Sequence, residues 1–219
     1  MCCLYPTFML TALTFLLLSV SYAFSFDTEN YDFDLIFIPP HCQKQLSSTL
    51  ENAKDDFETS EHLNRYGHPI ITDFNLQQQL IADGIAITYP KSFRALDLIR
   101  DLYETEHLTR QTKQGCAWNL PHPITAQALN IPPYTTDLMI VMGTVVDIYN
   151  GKNFVYLNFD KDWKTDFTIR YRKKNKYFRD LDPNIFKGKT IRVRGLISYY
   201  NGPMITLDHP IFLEMTYEQ

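Results

Sequence analysis

The sequence has no internal repeat of fixed period and no low-complexity tract, which excludes repeat arrays and solenoids. Its six histidines form neither an HExxH nor an HxH pattern, so these zinc-site signatures are absent. Beyond residue 23 no stretch is apolar enough to cross a membrane. The 219 residues are 45% hydrophobic and 14% aromatic, which excludes a disordered chain and leaves room for one large domain or two small ones.

The N-terminus lacks Lys and Arg over residues 1–7, yet the rest of residues 1–23 has the pattern of an export signal. Residues 8–20 are almost entirely apolar, and Ser21 and Ala23 place small side chains before a cleavage site. We therefore expect a cleaved signal peptide over 1–23 and an exported protein, periplasmic or secreted, without stable membrane insertion after cleavage. An uncleaved N-terminal anchor is the alternative, although the apolar run is shorter than the ~20 residues of a spanning helix.

Cysteine is scarce, because signal removal leaves only Cys42 and Cys116 of the four. In an oxidising compartment two thiols favour a disulfide, so this pair is the disulfide candidate, with two separate buried cysteines as the alternative. No second Cys or His stands at ligand spacing, so we predict no metal site at this pair.

The charge is unevenly distributed along the chain. Residues 24–137 carry 8 Lys/Arg against 16 Asp/Glu, whereas residues 138–219 carry 13 against 9. A change of sign at one boundary indicates two modules with different partners.

The basic module alternates apolar and polar residues in the manner of β-strands. The predicted strands are Leu138–Tyr149, Phe154–Phe159, Asp166–Arg172, Thr190–Tyr199 and Pro203–Asp208. Asn150-Gly151 and Asn201-Gly202 suit tight turns. Five short antiparallel strands with a polar insertion after the third predict a small five-stranded barrel over 138–219. We expect its core to contain Leu138, Ile140, Val145, Val155, Leu157, Phe167, Ile169, Ile191, Val193, Leu196, Ile205, Leu207 and Phe212.

The acidic module, residues 24–120, mixes short strands with helices. We predict a short helix over Asn75–Asp83 and a long one over Ser92–Gln114, with Asn75 and Ser92 as their N-caps. Residues 121–137 are a Pro-rich linker. The predicted fold class is therefore α+β, predominantly β.

A family resemblance connects these features. Arg65-Tyr66-Gly67, Gly84-Ile85-Ala86 with Tyr89, and the long helix carrying Glu104 and Glu106 before Gly115 and Trp118 resemble the second half of staphylococcal-type thermonucleases. Tyr156–Phe159, Asp162-Trp163, Asp166–Thr168, Ile191–Gly195 and Asn201–Ile205 with His209-Pro210 are similar to a domain that follows the thermonuclease domain in some bacterial members. The resemblance implies a truncated thermonuclease-like part followed by the OB-type domain.

The family's catalytic residues are missing from this chain. The resemblance implies two arginines, a glutamate and Ca²⁺-binding carboxylates, which would stabilise the negative charge of a pentacovalent phosphate. One arginine would follow Tyr66-Gly67, where this chain has His68. The other residues would lie in early strands, but residues 34–41 carry Pro and His where acids are expected. We therefore predict no catalytic residues, and Ca²⁺ as a cofactor only under a residual-nuclease interpretation.

A basic loop is the main functional candidate. Cations that follow phosphates, with rings on which bases stack, are typical of strand binding by OB barrels, so DNA or RNA is the expected partner. The predicted nucleic-acid-binding residues are Lys164, Arg170, Arg172, Lys173, Lys174, Lys176, Arg179, Tyr171 and Tyr177. The alternative is a solvated hairpin that keeps the protein soluble. Arg192 and Arg194 alternate with apolar residues, so we place them on the outer barrel face, where they would extend the basic surface.

One other group of residues has a weaker functional interpretation. Asp162 and Asp166, with Asn158, either cap turns or hold a hard cation, and turn capping is favoured. Three functions therefore remain open: a non-catalytic nucleic-acid-binding or accessory module, a residual Ca²⁺-dependent nuclease, and a structural interaction domain of the cell envelope.

Overall fold

The computed structural model describes residues 31–53, 57–119, 123–129, 131–132, 137–162 and 165–215. The expected signal peptide, Trp163 and Lys164 lie outside the described residues, as do residues 121–122, 130 and 133–136 of the Pro-rich linker. Within the described part of the chain, no helix is both long enough and apolar enough to span a bilayer.

The described residues form three α-helices and thirteen short strands, numbered here in chain order. The helices are α1 (Gln43–Ala53), α2 (Phe74–Ala82) and α3 (Leu96–Thr112). The strands are β1 (Asp32–Phe33), β2 (Ile36–Phe37), β3 (Thr59–Leu63), β4 (Pro69–Ile71), β5 (Ile87–Thr88), β6 (Ile124–Thr125), β7 (Leu138–Thr144), β8 (Asp147–Asn150), β9 (Phe154–Asn158), β10 (Thr168–Arg172), β11 (Thr190–Tyr199), β12 (Pro203–Leu207) and β13 (Leu213–Met215). The fold is mixed and mostly β, as predicted.

The helix starts differ from the predicted ones. Asp73, not Asn75, caps α2, because its carboxylate accepts a hydrogen bond from the Leu76 amide at 2.8 Å. Helix α3 begins at Leu96 rather than Ser92, and Lys113 ends it with a left-handed φ of 52°. Ser92 and Phe93 therefore belong to the segment that leads into the helix.

The basic module is a curled sheet in the order β6-β7-β11-β12-β10-β9-β8. Strands β7 and β8 lie far apart in this order but are separated by only two residues, Val145 and Val146, so the sheet curls back toward its own start. One long strand had been predicted here. The prediction of purely antiparallel pairing was also wrong, because β10 and β12 run parallel in the register Ile169↔Ile205. A strand pattern read from local alternation does not specify the partner strand.

Two apolar cores lie side by side. One packs α1, α2 and α3 against the short N-terminal strands. It also contains Leu138 and Ile140 from β7, which were wrongly predicted to lie in the barrel core. The other fills the curled sheet with residues such as Leu157, Ile169 and Ile205. Leu196 was predicted to lie in this core but is 52% exposed. Because strand side chains alternate, Leu196 points the same way as Arg192 and Arg194, away from Ile191 and Val193.

The prediction that Arg194 extends a basic surface was wrong. Arg194 lies on the outer face of the sheet, as expected, but α3 buries it there. Its Nη1 and Nη2 atoms donate to the two carboxylate oxygens of Glu106 at 2.6 and 3.0 Å, and Nη1 also donates to the Thr88 carbonyl at 2.9 Å. The guanidinium carbon lies 4.2 Å from the centroid of the Tyr103 ring. Arg194 and Glu106 are each only 1% exposed. This residue therefore attaches the sheet to the helix instead of extending a basic surface.

The ion pair is part of a network of three arginines and two glutamates. Glu214 on β13 accepts from both Arg194 and Arg192, and Glu106 also accepts from Arg110 at 3.1 Å. Burial alone would lower the pKa of Arg194, but Glu106, followed by Tyr103 and Glu214, raises it above its ordinary value. Burial would raise the pKa of Glu214, and Arg194 lowers it below its ordinary value. Arg194 and Glu106 are the buried members of this network, and each of its charged groups is paired with a group of opposite sign.

A disulfide joins the two ends of the helical part. Cys42 immediately precedes α1 and Cys116 follows α3, and their Cα atoms lie 5.6 Å apart, within the ordinary disulfide range. The His41 ring also bonds the Cys116 carbonyl through Nε2 at 2.8 Å. The bridge closes a segment that contains α1, α2 and α3.

We expect the substitution Arg194→Met to lower the free energy of unfolding by about 3–5 kcal/mol, because it leaves Glu106 buried without its main partner. Urea-induced unfolding measures this change. The control is Arg100→Met, which removes an exposed arginine of α3 that pairs with exposed Asp97 at 2.8 Å and should change the stability by at most about 1 kcal/mol. Equal stability of the two variants would contradict the role given to Arg194.

Candidate nucleic-acid interface

The outward side of β8, β9 and β10 is an exposed face that combines aromatic and cationic side chains. Tyr149, Tyr156, Arg170 and Thr206 lie opposite one another in a row across β8, β9, β10 and β12. The Tyr149 and Tyr156 ring centroids are 5.9 Å apart, and Tyr149 is 62% exposed. Arg170 Nε donates to the Thr206 hydroxyl at 2.9 Å, which fixes the guanidinium on this face. The sheet therefore presents two rings beside a positioned cation.

A second row lies beside the first. Phe154 on β9 is opposite Arg172 on β10, and the guanidinium carbons of Arg170 and Arg172 each lie 4.9 Å from the Phe154 ring centroid. Cation–π contacts of this kind hold the charged groups in place. Arg172 is exposed, so its charge remains available to a ligand.

A cleft of about 600 Å³ lies beside the row of Tyr149 and Tyr156, on the side opposite Phe154 and Arg172. Its lining residues come from β8, β9, β10 and β12 and from the turn between β11 and β12: Asp147, Tyr149, Tyr156, Asn158, Thr168, Tyr200, Asn201 and Met204. Asn201 has a left-handed φ of 52°, and a Cβ at Gly202 would lie 2.4 Å from the Asp166 carbonyl oxygen. The Asn-Gly pair is thus required for the tight turn that brings Tyr200 to the cleft.

Of the predicted basic residues, Arg170 and Arg172 are on the exposed face, and Lys173 reaches back to the β8–β9 turn. Its Nζ donates to the Gly151 carbonyl at 3.3 Å. Lys174 and Arg179 are exposed in the segment after β10, and Lys176 lies 4.7 Å from the Tyr177 ring centroid. The structure therefore brings two of the predicted cations, Arg170 and Arg172, to this face.

Tyr171 was predicted to bind nucleic acid, and the structure contradicts this. It is 1% exposed and stacks on Phe178 with ring centroids 4.3 Å apart. Burial, followed by the nearby Asp182 carboxylate, raises its pKa to about 12. Tyr171 faces the core because it alternates with Arg170 and Arg172 along β10. A base cannot reach its ring.

The rings available for stacking are Tyr149, Phe154, Tyr156 and Tyr200, of which sequence reasoning considered only Tyr156 and gave it no binding role. The alternation of side chains along each strand could have identified these rings. Every second residue of a strand points to the same side, which groups Phe154, Tyr156 and Asn158 on β9. The same rule groups Thr168, Arg170 and Arg172 on β10. Pairing the two strands places these outward sets side by side.

The carboxylate of Asp166 accepts hydrogen bonds within the loop before β10. Its Oδ2 accepts from the Phe159 and Asp160 amides at 2.8 and 2.7 Å, and its Oδ1 accepts from the Thr168 hydroxyl at 3.2 Å. Burial raises the pKa of this carboxyl, and the two backbone donors partly offset that effect. The described residues contain no cluster of three or more His, Cys, Asp or Glu able to hold a metal ion. The favoured interpretation of Asp166 as a turn cap agrees with these contacts.

The turn at Asn64–His68 is closed by the side chain of its first residue. Asn64 Oδ1 accepts from the amides of Tyr66 and His68, each at 2.9 Å, and this pattern is an Asx turn. Arg65 lies over the exposed Tyr66 ring at 4.6 Å. The side chains at this turn mostly contact each other.

No protein-family model matches the chain, and no curated protein matches it. One solved structure, described as "OBody AM1L10 bound to hen egg-white lysozyme", is 12% identical over 40% of this chain and 88% of that chain, with a TM-score of 0.29. A score this low carries no argument about fold or function.

His209 lies where the two modules meet. Its ring stacks on Phe93 with centroids 4.3 Å apart, meets Tyr177 edge-on at 4.2 Å, and accepts a hydrogen bond from the Ile211 amide through Nδ1 at 3.0 Å. Tyr177 is therefore only partly available to a ligand, being 39% exposed. Burial lowers the pKa of His209 below its ordinary value of 6.5.

We expect the free energy of unfolding to fall as the pH drops below 6.5, because the folded state then binds fewer protons at His209 than the unfolded state does. Urea unfolding between about pH 7.5 and about pH 5.5 measures the trend. The variant His209→Asn can still cap Ile211 but does not titrate, so its stability should depend less on pH over this range. A His209 pKa of 6.5 or higher by NMR titration of the folded protein would contradict this account.

Proposed function

We propose that residues 138–219 form an OB-type barrel that binds single-stranded DNA or RNA on the face of β8, β9 and β10 without cleaving it. The strand order supports the barrel type. In an OB barrel a bent first strand pairs with both the second and the fourth, and the fifth lies between the third and the fourth. Here β7 and β8 together take the place of the first strand, and β9, β10, β11 and β12 follow as the second to the fifth.

The observation that carries the binding proposal is the row of Tyr149, Tyr156 and Arg170 with Phe154 beside it. OB barrels bind strands on the second and third strands and the adjoining turns, where rings stack on bases and cations follow the phosphates. Every base has a π-face, so such a surface tolerates many sequences. Arg170 and Arg172, both held against Phe154, are placed to neutralise phosphates next to stacked bases.

In this proposal the protein does not hydrolyse phosphodiester bonds. The resemblance to thermonucleases implies an arginine after Tyr66-Gly67, and this chain has His68 there, in a turn closed by Asn64. The N-terminal part is proposed as a degenerate thermonuclease-like unit that supports the barrel through α3. Its disulfide favours the exported location, because such bonds persist in oxidising compartments.

We expect the double variant Arg170→Gln/Arg172→Gln to bind a labelled single strand at least about tenfold more weakly, since two charge-assisted phosphate contacts are lost. The slope of log affinity against log salt should fall by about 1.4, at ~0.7 per phosphate contact on a single strand. Fluorescence anisotropy at several salt concentrations measures both quantities.

The matched control is Arg94→Gln/Arg100→Gln, which removes the same charge from exposed positions in the N-terminal part. It should leave the affinity within about twofold of the parent, with the salt dependence close to unchanged. Equal losses in the two double variants, or no binding by the parent protein, would overturn the proposal. An anisotropy signal that rises and then decays only with Ca²⁺ would instead establish the residual nuclease.

A further inference from the structure

The cleft beside the tyrosine row contains a carboxylate, which is unexpected on a surface that attracts phosphates. Of the described residues that line it, Asp147 is the one with a charged side chain. Its partner is Lys187 at 3.5 Å, and both side chains are 59% exposed, so the pair is weak and open to exchange. A carboxylate in this position repels phosphate, and the ligand group that fits beside it is therefore a hydrogen-bond donor.

Asn158 lies directly opposite Asp147 on the neighbouring strand. Its Oδ1 lies 3.4 Å from the Thr168 hydroxyl, whose one hydrogen it shares with Asp166 Oδ1 at 3.2 Å, and no described residue accepts from its Nδ2. Asn158 is 8% exposed, and it lines the cleft. The cleft wall thus pairs an acceptor, the Asp147 carboxylate, with an amide donor about 5 Å away between Cβ atoms.

The rings of Tyr149, Tyr156 and Tyr200 line the same cleft and provide apolar surface for a planar ligand. A base stacked on such rings presents its Watson–Crick edge to the neighbouring polar groups. The acceptor and the donor of the cleft are thereby within reach of that edge, while the phosphates remain with Arg170 and Arg172.

We propose that this cleft selects guanine within the bound single strand, an inference that rests on the proposed function. Adenine, cytosine and thymine each offer one donor group on the Watson–Crick edge. Guanine alone offers two adjacent donors, N1–H and N2–H, which one carboxylate accepts together, with the O6 acceptor beside them. Asp147 would accept both donors and Asn158 Nδ2 would donate to O6, and bidentate contacts to a charged group are both stronger and more selective than single ones.

The test uses nine-residue oligothymidylates whose central base is thymine, adenine, cytosine, guanine or hypoxanthine, measured by competition in fluorescence anisotropy. One central guanine avoids quadruplex formation. We expect guanine to bind about tenfold more tightly than the other natural bases, a typical discrimination for one bidentate contact. Hypoxanthine lacks the 2-amino group and should lose most of that preference.

The variant Asp147→Asn should remove the preference for guanine and leave the affinity for the all-thymine strand within about twofold, because Asp147 contacts no phosphate in this account. The control is Asp180→Asn, which makes the same charge change at another exposed acid and should keep the preference. Equal binding of all strands by the parent, or a guanine preference that survives Asp147→Asn, would overturn the inference while leaving strand binding established. Absence of binding to any strand would overturn the proposed function as well.

Discussion

The buried ion pair between Arg194 and Glu106 is the contact on which the rest of the arrangement depends. It joins the middle of β11 to the middle of α3, and Glu106 also accepts from the Thr88 amide at 2.8 Å. One carboxylate therefore connects the helix, a short strand of the N-terminal part and the curled sheet. An isolated buried charge is very costly. Stability would therefore be lost if either module packed its charged residue, Arg194 or Glu106, against an apolar surface that lacks the other residue. We infer that the pair specifies how the modules dock.

That docking determines which side of the sheet is free. The helix α3 covers the outward side of β11, where Arg194 is 1% exposed. The outward sides of β8, β9 and β10 remain open, with Tyr149 62% exposed and Arg172 exposed. The same alternation of side chains thus produces a buried electrostatic contact on one strand and a ligand-accessible face on the others. The proposed function depends on α3 covering β11 while leaving β8, β9 and β10 open, and not on the overall charge of the protein.

The features that could be predicted were those that depend on residues adjacent in the sequence. The strand β11 was predicted with its observed bounds, and the Asn201-Gly202 turn was predicted from its residue types. The parallel pairing of β10 with β12, and the break between β7 and β8, depend on contacts between residues far apart in the chain. Arg194 shows the same limit, since its alternation predicts the outer face correctly but contains no information about the helix that covers that face.

The candidate site was predictable to a similar extent. Arg170 and Arg172 were identified from their density of positive charge, whereas Tyr171 was grouped with them because it is adjacent in sequence. Adjacency in a strand places side chains on opposite faces, so the neighbours that matter are across the sheet. Phe154 and Tyr156 become partners of the two arginines only through the pairing of β9 with β10.

The most direct test of the central claim is amide hydrogen exchange of the protein, followed by mass spectrometry, with and without a short single-stranded oligonucleotide. The account predicts slower exchange over β8, β9, β10 and the turn at Tyr200–Gly202, with α3 unchanged, because the strand covers the face that the helix leaves open. Protection confined to α3 or to the turn at Asn64–His68, with none on β8 to β10, would contradict it.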